Sequence, residues 1–164
     1  MKTVIRTLLL LALIVWLGAE IFFPVVAAVT FGQLSDTHAA GQIVGGLVRI
    51  LHGMGLVCGL VLMALFALAS AWGIFRPRVA LASLGLVLAM VALTAYSQYG
   101  IIPAMERDRV AAGGIIDAAP KDNPARMDFD TLHKRSVNVE GAVTVLGLVV
   151  VVLVASAGTA VSQR

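Results

Sequence analysis

A single carboxylate, Glu20, stands inside the apolar run Trp16-Leu17-Gly18-Ala19-Glu20-Ile21-Phe22-Phe23-Pro24, and the other chemically capable side chains are read against it. A charge at bilayer depth costs roughly 2.5–3.5 kcal/mol on insertion scales, so such a residue is expected to face a bundle interior and a partner. Arg49 is the expected partner, since intramembrane charges commonly pair. His52 and His133 carry imidazole nitrogens of the kind that ligate a metal ion or haem iron, and that equally serve as hydrogen-bonding groups near an interface. Glu140 can accept a hydrogen bond from Tyr96 or Tyr99. The set Glu20, Arg49, His52, Tyr96, Tyr99, His133 and Glu140 therefore forms the candidate ligand pocket. Its chemistry would be ion pairing, polar contact with a small ligand, or metal and haem binding through His52 and His133. No catalytic residue is assigned: the sequence has no Gly-rich phosphate loop, no G-x-S-x-G elbow and no H-E-x-x-H helix. The single cysteine, Cys58, lies in an apolar run and reads as a small buried hydrophobe.

The elements that must position these residues are membrane spans. Hydrophobic residues make up 60% of the chain and charged residues only 13%, against about 25% charged in soluble domains. The mean hydropathy is +0.98. Four segments reach the roughly 20 apolar residues needed to cross a bilayer, at about 4–31, 41–75, 79–102 and 137–160. The expectation is a single all-α domain, an integral membrane four-helix bundle with one longer extramembrane loop, 103–135, between helices three and four. The second segment exceeds a bilayer's thickness, so Gly41 to Met54 reads as an interfacial extension. Arg76-Pro77-Arg78 is a tight basic turn. Asp128 or Asp130 would cap the fourth span, and Asp130 and Lys134 have i,i+4 spacing.

Counting about 1.5 Å per residue from each boundary places Glu20, Arg49, His52, Tyr96, Gln98, Tyr99, His133 and Glu140 at one level, toward the outer side. The helical period puts Trp16, Glu20, Phe23 and Ala27 on one face. It does the same for Gly45, Arg49, His52 and Gly59, for Gly85, Ala89, Ala92, Tyr96 and Tyr99, and for His133, Val137, Glu140, Thr144 and Gly147. Small residues permit close helix approach, which marks these as inward faces. Gly55-x-x-x-Gly59 and Gly41-x-x-x-Gly45 have the same permissive spacing.

Cations divide almost evenly between the ends, with Lys2, Arg6, Arg76, Arg78 and Arg164 on one side and Arg107, Arg109, Lys121, Arg126, Lys134 and Arg135 on the other. Lys2 and Arg6 precede the first span and no Lys or Arg follows it before the second, which places both termini in the cytoplasm. The first apolar run is too long for a secretory signal core and reads as an uncleaved helix. The cations form no basic stripe, so nucleic acid is excluded as a partner; the lipid bilayer and other membrane-protein subunits remain.

The stretches Ala19-Glu20-Ile21-Phe22-Phe23-Pro24, His38-Ala39-Ala40-Gly41-Gln42-Ile43-Val44, Leu51-His52-Gly53-Met54-Gly55, Gln98-Tyr99-Gly100-Ile101-Ile102-Pro103-Ala104-Met105 and Leu132-His133-Lys134-Arg135-Ser136-Val137-Asn138-Val139-Glu140-Gly141 together resemble a bacterial domain-of-unknown-function family related to transmembrane protein 205. That resemblance implies a four-span protein of the bacterial inner membrane and brings no established catalytic activity. The segment from Trp16-Leu17-Gly18 to Phe22-Phe23-Pro24 is more distantly similar to four-helix haem or copper membrane proteins. Those use a histidine within their helices; span one here has none, so His52 or His133 would substitute. Two functions follow: a non-enzymatic accessory or small-ligand-binding subunit of a membrane complex, or a haem- or metal-binding redox protein. A small transporter is a third class, without internal repeats to support it.

Overall fold

In the computed structural model, residues 2–159 are described, so Ala160 and Arg164 of the sequence assignments lie outside the described residues. The elements are α1 (Lys2–Gln33), α2 (Thr37–Ala71), α3 (Pro77–Tyr96), a π-helical turn (Ser97–Ile101), α4 (Ile102–Ala111), a 3-10 turn (Ile116–Ala118) and α5 (Pro124–Thr159). Among the described residues there is no strand, and four continuous helical segments are long and apolar enough to cross a membrane. The protein is an integral membrane four-helix bundle.

The helices form a ring. α1 packs on α2, α2 on α3, α3 on α5, and α5 closes against α1. Leu9, Leu13 and Trp16 of α1, Leu62 and Phe66 of α2, Val87 and Met90 of α3, and Val143 and Val150 of α5 fill its centre. In the most apolar part of each span only 28% of residues are buried, so most of every helix faces lipid. Exposed Leu, Ile, Val and Phe side chains along all four helices are suited to that contact.

One end is locked by Arg6. Its guanidinium donates to the Ile74 carbonyl at 3.2 Å and lies 5.5 Å over the Phe75 ring, tying the start of α1 to the α2–α3 turn. Gly73, with φ of 60°, supplies the left-handed residue that ends α2, and Pro77 opens α3 at a position where no N–H is needed.

The other end is more helical than expected. A 35-residue helix is about 52 Å long, against roughly 30 Å of hydrocarbon, so the start of α2 projects beyond the bilayer. Asp36 caps it by accepting from the His38 and Ala39 amides. Residues 103–135, expected as a loop, fold largely into α4 and the first turns of α5. Asp128 and Asp130 consequently lie inside α5 and cap nothing. The cap is Asn123, whose Oδ1 accepts from the Arg126 amide at 3.2 Å. The Asp130–Lys134 pair does not form among the described residues; on an exposed helix face its gain would be offset by side-chain entropy. Arg109 ties this layer together through Glu106 and the Gly114 carbonyl, and Thr37 donates to Asp117 across the chain at 2.6 Å.

Within the membrane α1 meets α2 closely at Trp16. A Cβ on Gly55 would stand 2.6 Å from Trp16 Nε1, and one on Gly59 would meet both Val91 Cγ2 and the Trp16 ring. Gly55-x-x-x-Gly59 is therefore a floor for the indole, whereas Gly41 and Gly45 have nothing within 4 Å of a built Cβ. Gly55→Ala is expected to cost about 1–3 kcal/mol by overpacking, read as a lower unfolding midpoint of the detergent-solubilised protein. Gly45→Ala should leave that midpoint unchanged or raise it, because the added methyl meets open space and alanine favours the helix.

Candidate functional site

Beside Trp16 the bundle carries a closed polar cluster, built from all the spans. His52 of α2 is fully buried. Its Nε2 lies 2.7 Å from Glu140 Oε1 on α5, and its Nδ1 lies 2.9 Å from Gln98 Oε1 in the π-helical turn. The imidazole is thus held on both sides, by the Glu140 carboxylate at one ring nitrogen and the Gln98 side-chain amide at the other. Ser97 also donates to Glu140 Oε1, at 3.1 Å. Glu20 of α1 is only 4% exposed and accepts from Trp16 Nε1 at 3.1 Å. Glu140 and His52 are near enough to Glu20 to act on it electrostatically.

The π-helical turn makes this possible. Pro103 would clash with the carbonyl of Tyr99 in a regular helix and cannot donate to it; the wider turn immediately before it relieves that conflict, with the Ile102 amide donating to the Ser97 carbonyl. Fewer degrees of rotation per residue let the consecutive residues Ser97 and Gln98 both reach the cluster.

The structure brings together three of the sequence candidates, Glu20, His52 and Glu140, and separates the rest. Arg49 does not pair with Glu20. It is exposed, and the acid it influences is Glu106; Trp16, one turn before Glu20 on the same helix, satisfies the carboxyl without a second charge to desolvate. Tyr96 and Tyr99 point outward, Tyr99 with 72% of its surface exposed, and Tyr96 accepts from Arg135 at 3.4 Å instead of serving Glu140. The buried face of α3 is Ala80, Ser83, Val87, Met90 and Thr94, continuing to Ser97, so the inward stripe predicted through Gly85 and Tyr96 is rotated. Amphipathic tyrosines favour the membrane–water interface, and small hydroxyls fit the interior. His133 is exposed and stacks on Phe129, with ring centroids 6.5 Å apart. It lies two helical turns, about 10 Å, from Glu140 along α5, so His52 and His133 do not converge.

Ser97, Gln98 and Trp16 are the partners that the candidate set omitted. Gln98 stood in the quoted stretch ahead of Pro103, and that proline, set within an otherwise helical run, was the available sign of an irregular turn.

Two consequences for stability are measurable by denaturant unfolding in detergent. His52→Ala strands Glu140 and Gln98 and should cost about 3–5 kcal/mol, the usual penalty for removing one partner of a buried pair. Arg49→Ala, at an exposed position outside the cluster, should change stability by less than about 0.5 kcal/mol. Equal losses for the two would contradict this arrangement.

The family model described as a domain of unknown function, DUF4149, matches residues 11–112, well over half of the chain. No curated protein and no solved structure matches it. The matched region runs from within α1 to the end of α4, so it contains Trp16, Glu20, His52, Ser97 and Gln98, while Glu140 lies beyond it. The chain belongs to the DUF4149 family.

Proposed function

We propose that this chain is a non-enzymatic accessory subunit of a membrane complex, in the bacterial inner membrane with both termini cytoplasmic. The observation that carries the reading is the self-contained polar cluster. His52, Glu140, Ser97, Gln98, Trp16 and Glu20 hydrogen-bond among themselves, with Glu140 Oε2 left without a partner, which suits a group that fixes helix positions. A surface groove lined by Phe66, Ser70, Ala80 and Leu84 lies between α2 and α3 near the opposite end, away from these groups. Small-ligand binding belongs to the same proposal: Thr94, one turn before Ser97, is fully buried with an unpartnered hydroxyl that a small polar molecule would satisfy.

The orientation rests on the end that Arg6 locks. Lys2, Arg6, Arg76 and Arg78 gather there without an acid, and two of them precede the first span. A relation to transmembrane protein 205 is supported by the quoted stretches around Glu20, His52, Gln98 and Glu140. The haem or metal alternative through His52 and His133 gains no support from the geometry. Both His52 nitrogens are engaged, so a ligand bond to His52 would require breaking the cluster, and His133 is remote from it.

Isolation from the native membrane in mild detergent tests the proposal. The expected product is folded, colourless and metal-free, and it migrates with a stoichiometric membrane-protein partner. A stoichiometric haem or metal that depends on His52 would overturn it. Reporter fusions at the two ends should both read cytoplasmic, and a reading on opposite sides would contradict the even number of spans.

A further inference from the structure

We propose that the groove between α2 and α3 holds an anionic phospholipid, with one acyl chain in the recess and the phosphate at the arginines of the connecting turn. The recess has a volume of about 370 Å³ and lies between Ala67, Ser70 and Ala71 of α2 and Ala80, Leu81 and Leu84 of α3. Ala67, Ser70, Ala71 and Leu81 are exposed, so it opens on the surface that meets lipid. The short side chains of α2 leave the space beside the two leucines unfilled. One turn of a helix, about 10 Å across and 5.4 Å long, occupies roughly 420 Å³, more than the whole recess, whereas an acyl chain is a single file of methylenes that can lie within it.

Charge selects the kind of lipid. The recess ends at the α2–α3 turn: Ala71 is the last residue of α2, and Arg78 stands one turn before Leu81 on α3. The side chains of Arg76 and Arg78 are exposed and have no hydrogen bond or ion pair among the described residues. Arg6, at the same end, is already engaged with the Ile74 carbonyl and the Phe75 ring, which fixes the turn and leaves the other two guanidiniums free to bind phosphate. The nine acids of the chain all lie at the level of the polar cluster or in the layer beyond it, so nothing at this end neutralises the arginines. The first turn of α3 contains no acid and its N-cap makes no side-chain hydrogen bond, so the positive end of the helix dipole adds to the same sign. Trp72, exposed directly after Ala71, is the kind of side chain that sits at headgroup level. Free cations at that level, with an apolar recess immediately below them, complement the two parts of an anionic lipid. The site requires neither the orientation nor the partner subunit proposed above.

The full chain reconstituted in phosphatidylcholine vesicles carries its own probe, because Trp72 is exposed beside the recess whereas Trp16, the other tryptophan, is fully buried. Phosphatidylglycerol brominated on its acyl chains, added as a minor fraction of the lipid, is expected to quench Trp72 more strongly than the same fraction of brominated phosphatidylcholine. The expected preference for the anionic lipid is roughly tenfold, the scale of two interfacial cations. It should disappear in the double variant Arg76→Gln/Arg78→Gln. It should also disappear in Ala67→Leu, which fills the recess from an exposed position. Both variants alter exposed residues only, and a helical circular-dichroism spectrum equal to the native one verifies their fold. Equal quenching of the native chain by the two lipids overturns the proposal, as does a preference that survives loss of both arginines. A preference that survives Ala67→Leu also overturns it, leaving only diffuse attraction to a basic surface. Trp72 shielded from both lipids in a dimer that Ala67→Leu dissociates would assign the groove to a second copy of the chain and overturn the lipid site.

Discussion

The bundle depends on the requirement that polar groups inside hydrocarbon satisfy one another, and His52–Glu140 is the bond that meets it across the ring. α2 and α5 sit diagonally, α2 packed on α1 and α3, and α5 on α3, α4 and, more lightly, α1. A 2.7 Å contact between them closes the centre at this level and joins residues 88 positions apart in sequence. Either partner alone would be a desolvated polar group with no recourse to water. Ser97 also donates to Glu140 Oε1 and Gln98 pairs with the other ring nitrogen of His52, so the third helix must present its π-helical turn at the same depth.

Trp16 links that polar layer to the apolar core below it. Its ring lies on Gly55 and Gly59, and its N–H reaches Glu20. Without a hydrophobic driving force between helices in lipid, close van der Waals fit supplies much of the association. Two glycines admit the largest side chain of the core, and the large side chain in turn sets how α1 rotates against α2. A change at the glycine floor would therefore reach the carboxyl through the indole, even though no glycine touches Glu20.

The two ends of the molecule have different physical characters. At one, Arg6 binds a carbonyl and a ring of the short turn, and the surrounding residues are basic. At the other, helices longer than the bilayer is thick carry acids and bases into a layer made by the start of α2, α4 and the start of α5. This asymmetry confines the polar cluster to the region where the apolar spans meet the extramembrane layer.

Sequence alone determined that the chain is an all-α membrane protein with four spans, because apolar length and composition decide whether a segment can cross a bilayer. It also placed Glu20, His52 and Glu140 at a common depth, since rise per residue is fixed in a helix. It did not determine which residues meet. Each residue turns a helix by about 100°, so a rotation of that size exchanges Tyr96 for Ser97 at the centre, and one irregular turn before Pro103 brings Gln98 inward as well. The pairing of Glu20 with Trp16 instead of Arg49, and the exposure of His133, were decided by the rotation and docking of whole helices. Those follow from side-chain fit between distant segments, above all the indole on its two glycines, which no local periodicity encodes.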